Sequence, residues 1–141
     1  MSLLRRPYTT QKTKNSGITY FIPSIEELFS RDSMSKKPKK VFITIDMEDI
    51  SGIVDRTQTG VRDGPQEYEY GRKLMVGDLN AAIEGALEVG AEEIVVSDAH
   101  GRMRNLYPED VHEAALLIRG GPKPDQMMSG INNDFDASFY I

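Results

Sequence analysis

Apolar positions along residues 40–141 fall into two kinds of run. Val41-Phe42-Ile43-Thr44-Ile45 is mostly apolar and β-branched without polar alternation, which predicts a strand covered on both faces. The loop that follows, 49–64, carries Ser51-Gly52 and Asp63-Gly64-Pro65, residues suited to turns and to the start of a helix. From 66 to 89, Leu74, Met75, Leu79, Ala82, Ile83, Ala86 and Leu87 recur at three and four residues, the spacing of a long amphipathic helix that stops at Gly90. A second strand is predicted over 92–97, a short helical turn over 108–113 and a third strand over Ala115–Ile118. After a break at Gly120-Gly121-Pro122 come a short helix over 124–130 and a fourth strand starting at 137, within which the chain ends at Ile141. Alternating strands and helices predict a three-layer α/β/α fold with a mainly parallel sheet, truncated in its last strand.

The length of 141 residues suits one domain with a continuous core. No cysteine is present, which excludes disulfides and thiolate metal sites and fits a reducing compartment. No apolar stretch nears the roughly 18 residues of a membrane span, and the start lacks the apolar core of a secretory signal, so the expectation is a soluble, cytoplasmic protein. Charge is divided unevenly: residues 1–40 hold nine Lys or Arg against three acidic residues, and residues 41–141 hold eight against nineteen. A basic arm can touch nucleic acid, lipid headgroups or the acidic body of a neighbouring subunit. We read residues 1–39 as a solvated leader, with neither nucleic acid nor membrane as partner. Residues 24–29 suit one capped helical turn within it, and Met34 offers an internal start.

Chemistry enters at the strand ends. Asp46 and Glu48 are two apart, so they point to one side while Met47 turns to the other. His100 follows the second strand, and a crossover unit puts both carboxyl ends together, where open α/β sheets hold ligands. Asp46, Glu48 and His100 are oxygen and nitrogen donors acceptable to zinc, and equally to manganese or cobalt. The plain alternative is a solvated polar strand end. Asp98 either orients His100 or a loop amide from behind, or caps the following turn. Arg102 and Asn105 are candidates to meet substrate, His112 reads as a surface residue, and Met127 and Met128 as core or interface filling.

The segment Val41-Phe42-Ile43-Thr44-Ile45-Asp46-Met47-Glu48-Asp49-Ile50-Ser51-Gly52 resembles the opening of the zinc D-aminopeptidases of dipeptide-transport operons. Gly71-Arg72-Lys73-Leu74-Met75, Asp78-Leu79-Asn80-Ala81-Ala82, Ser97-Asp98-Ala99-His100-Gly101, Asn105-Leu106 and Gly120-Gly121-Pro122-Lys123-Pro124 continue the likeness in order, from about 40 to 141. The resemblance implies a two-zinc peptidase of large homo-oligomers, acting on peptides with D-amino acids at the amino end. Asp46 corresponds to the bridging ligand, with Glu48 and His100 completing one zinc shell. The family's remaining ligands and its catalytic histidine fall beyond Ile141, and Asp49 replaces a usual glycine. At most one zinc, no catalytic residue and little or no peptidase activity are therefore expected of this chain alone, with a homo-oligomer or a second chain supplying the missing half.

Two other classes compete. A strand ending in Asp-x-acid also opens the haloacid-dehalogenase-like phosphatases, but Glu48 and Ile50 stand where that family prefers Asp and then Thr or Val. The other is a non-catalytic metal-binding or interaction fragment, whose unpaired strand edge would favour association.

Overall fold

A computed structural model describes residues 37–141. Most of the predicted leader, with the turn at 24–29 and Met34, lies outside the described residues. The body contains four strands, β1 (Lys40–Ile45), β2 (Glu93–Asp98), β3 (Ala115–Ile118) and β4 (Ala137–Tyr140), and one long helix, α1 (Pro65–Glu88). The sheet order is β3-β2-β1-β4, and every pair is parallel. The α/β class follows from this arrangement.

Side chains of β1 divide cleanly between two faces. Val41, Ile43 and Ile45 join Ile94 and Val96 of β2 under Met75, Leu79, Ile83 and Ala86 of α1. Each of these large side chains contributes roughly 1.5–3 kcal/mol on burial. Pro65 opens the helix at its first turn, where a missing N–H costs nothing, and Gly90 follows its end at φ +102°.

The other face carries Phe42, Thr44, Val95 and Ser97, and the chain after β3 covers it. Phe135 meets Phe42 edge-on at 5.6 Å, and the Thr44 hydroxyl donates to the Met127 carbonyl at 2.8 Å. At Gly130, φ is +107°, and a Cβ there would collide with Ile118. The positive φ is the conformation that calls for glycine here.

Two predicted helices shrink. The segment 124–130 contains only a 3-10 turn, Gln126–Met128, because its backbone is committed to the sheet face through Met127 and Gly130. Residues 108–113 form turns. Asn80 of α1 donates to the Asp110 carbonyl and accepts from the His112 N–H, both at 2.9 Å, taking backbone groups that a helix would use. His112 is half-buried, and its Nδ1 accepts from the Ala114 N–H. Met127 is 45% exposed and so does not fill the core. Among the described residues no helix is long and apolar enough to cross a membrane.

Candidate metal centre

The carboxyl ends of β1 and β2 lie side by side because Ile45 pairs with Asp98. The pairing runs one step beyond the strands, where the Ala99 N–H donates to the Ile45 carbonyl at 2.9 Å, and this sets His100 beside Asp46. Met47 is fully buried in the core under α1, so its neighbours Asp46 and Glu48 face outward together. His100 Nδ1 stands 2.8 Å from Asp46 Oδ1 and 3.0 Å from Glu48 Oε2. Its Nε2 stands 2.8 Å from the backbone carbonyl of Thr59.

That last contact decides the protonation pattern. A carbonyl only accepts, so Nε2 carries its hydrogen and donates it to Thr59, leaving Nδ1 to face the two carboxylates. A bare imidazole lone pair cannot share one point with two carboxylates without a positive charge between them. A proton or a metal ion supplies it. Burial works against the charged imidazole, but the Thr59 carbonyl, Asp46 and Glu48 outweigh it and hold the pKa of His100 above its ordinary 6.5. Burial likewise pushes Asp46 up. The Met47 N–H, Glu48 and His100 prevail and hold it below its ordinary 3.8.

The donor set fits a divalent cation. One ligand atom from each of Asp46, Glu48 and His100 lies within 4.8 Å of the others. Tetrahedral ligands at about 2.0–2.2 Å from zinc stand about 3.3–3.5 Å apart, so the imidazole and the carboxylates need to separate by only about half an ångström. Among the described residues this is the one such group.

With that geometry, the D-aminopeptidase family model (peptidase M55) matches residues 39–141. The chain belongs to the D-aminopeptidase family. A D-aminopeptidase of Bacillus subtilis (strain 168) is 37% identical to it over 102 residues, covering 72% of this chain and 36% of the relative. The solved structure of the Zn-dependent D-aminopeptidase DppA from Bacillus subtilis, described as a self-compartmentalizing protease, matches with a TM-score of 0.68 at 37% identity. That match again covers 72% of this chain and 36% of the other. The chain thus spans about a third of the length of these relatives.

In this member of the D-aminopeptidase family, the predicted supporting residue Asp98 does not touch the His100 ring. It is fully buried and accepts from the Asn105 N–H at 2.6 Å, the Leu106 N–H at 2.9 Å and Asn105 Nδ2 at 2.7 Å. Asn105 Nδ2 also donates to the His100 carbonyl at 2.7 Å, and Asn105 Oδ1 accepts from the Tyr68 hydroxyl. Asp98 therefore fixes the backbone of the loop on which His100 rides. Asn105, a candidate for substrate, has both ends of its amide committed within the protein.

Sequence reasoning missed three supporting parts. Thr59 acts through its backbone carbonyl, which has no side-chain signature. The turn before it did have one: Asp55-Arg56-Thr57-Gln58 is a capping box, in which Asp55 accepts from the Thr57 N–H and Gln58 Oε1 from the Asp55 N–H, fixing the 3-10 turn Arg56–Gln58. The third is Lys123, 7% exposed, whose Nζ donates to the Ser97 hydroxyl at 2.9 Å and to the carbonyls of Asp98 at 2.6 Å and Ile118 at 3.1 Å. It ties the ends of β2 and β3 together, two residues before His100 in the chain.

Proposed function

We propose that this chain carries part of the active site of a zinc-dependent D-aminopeptidase, with Asp46, Glu48 and His100 as ligands of one zinc ion. The observation that carries this reading is the convergence of Asp46 Oδ1 and Glu48 Oε2 on His100 Nδ1 at 2.8 and 3.0 Å, in a chain of this family. A bound zinc supplies Lewis-acid polarisation of a peptide carbonyl and activation of water. The chain's own residues define where that happens. Asp46 and Glu48 provide negative charge that balances the ion and attracts a free amino end. Thr59, through Nε2, keeps the imidazole in the tautomer whose Nδ1 is a ligand. Asp98 and Asn105 hold the loop that positions it.

The substrates we assign are short peptides with a D-amino acid at the amino end, and the working form is a homo-oligomer in the cytoplasm. The likeness to DppA, a self-compartmentalizing D-aminopeptidase, supports the substrate class and the oligomer, and the cysteine-free composition supports the compartment. Only one group of three donors is assembled among the described residues, so the 141-residue protein by itself is proposed to bind one zinc and to hydrolyse such peptides slowly or not at all.

An isothermal zinc titration of metal-stripped protein, run beside His100→Ala, tests the reading. The expected result is about one zinc per chain, lost in the variant. Absence of specific binding overturns the metal assignment. Robust release of D-alanine from a D-alanyl peptide by the purified protein overturns the low-activity assignment while leaving the ligands in place.

A further inference from the structure

Positive charge is scarce in this body: residues 41–141 contain eight Lys or Arg against nineteen Asp or Glu. Three of those eight, Arg62, Arg102 and Arg104, line one cavity of about 590 Å³ together with His100 and Tyr68. Among the described residues none of the three guanidinium groups takes part in an ion pair. The acidic residue in that lining, Asp63, lies 3.9 Å from Arg56 Nε. Glu48 lines a different cavity, of about 460 Å³, and Thr59 borders both. Glu48 thus borders one cavity and His100 the other, which is rich in arginine.

We propose that Arg62, Arg102 and Arg104 form the subsite for the free C-terminal carboxylate of a short peptide, an assignment that rests on the D-peptidase reading above. Guanidinium groups present a fixed fork of donors matched to a carboxylate, and a concave cleft concentrates their field. A peptide whose amino end meets Asp46 and Glu48 advances about 3.3–3.6 Å per residue. Because His100 belongs both to the donor group and to the lining of the arginine basin, the terminal carboxylate of a short peptide held there by its amino end is directed into that basin, and the cavity's volume is that of a small-ligand site. This restricts the substrate to short peptides with a free acid end. Amidated, esterified or long chains lose the contact.

The test compares binding of D-alanyl-D-alanine, its C-terminal amide and inorganic phosphate to the zinc-loaded 141-residue protein, by calorimetry, in the wild type and in the combined variant R62Q/R102Q/R104Q. The free acid is expected to bind about tenfold or more tightly than the amide, and the ratio to fall to about one in the variant. Zinc stoichiometry, read in the same samples, is expected to stay unchanged, which shows that the variant is folded. Equal affinities for acid and amide in the wild type, or a preference that survives in the variant, overturn the proposal and leave the D-peptidase reading intact. Phosphate binding tighter than the free acid, and lost in the variant, also overturns it by reassigning the arginines to a phosphate ligand. If zinc binds but neither peptide does, the D-peptide reading itself fails and this proposal with it.

Discussion

Asp98 illustrates how much of the site is held from behind. It has no solvent contact, and its carboxylate accepts three hydrogen bonds from the loop that carries His100. Asp98→Ala leaves those donors buried and unpaired, so chemical denaturation is expected to show a loss of about 3 kcal/mol. In the same variant zinc affinity should fall about 10- to 100-fold by titration, although no ligand atom has changed. Lys123 makes a prediction that depends on pH. Burial lowers its pKa below 10.5, against the pull of Asp98. At low pH both folded and unfolded chains carry the charge, and the folded form bears the full cost of burying it. As pH rises, the folded form releases the proton first, so its stability increases until the unfolded chain also deprotonates near 10.5. Wild type should therefore gain stability relative to Lys123→Met as pH climbs through the lowered pKa towards 10.5, by denaturation at several pH values. A flat difference would contradict this.

At the scale of elements, a glycine of α1 sets how closely the helix approaches the turn before Thr59. A Cβ on Gly71 would collide with the Gln58 carbonyl, so Gly71→Ala must displace the 3-10 turn that leads into Thr59. Thermal and chemical denaturation should show a loss of about 1–3 kcal/mol, and zinc should bind more weakly. Gly77 lies in the same helix with nothing within 4 Å, so Gly77→Ala should stabilise by about 0.5–1 kcal/mol. The strands and α1 were legible to within a residue or so because burial imposes a period on them: Met75, Leu79, Ile83 and Ala86 line one face, and Val41 to Ile45 have no solvent face at all. The segment 108–113 was not legible, because Asn80, thirty residues away, takes the backbone groups that decide its conformation. Asp46, Glu48 and His100 were legible because strand ends announce themselves as apolar runs that stop at polar residues. Thr59 was hidden because it contributes only a carbonyl.

For the whole molecule, a bound ion should act as a stabiliser. A ligand present at about 100 times its dissociation constant adds about 2.7 kcal/mol to the folded state. In a body of this size zinc should raise the melting temperature by on the order of 10 °C, with reversal by a chelator and no shift in His100→Ala. The proposed ligands Glu48 and Asp46 are 52 and 54 residues from His100 along the chain, and only the parallel register that matches Ile45 to Asp98 brings the three together. A one-residue slip of β1 would send Asp46 and Glu48 inward and Met47 outward. The cation site therefore cannot exist in a chain whose central strands are misaligned. Zinc capture, followed in time during refolding, would work as a proof-reader of strand alignment, marking the moment at which the crossover between β1 and β2 has closed in its correct frame.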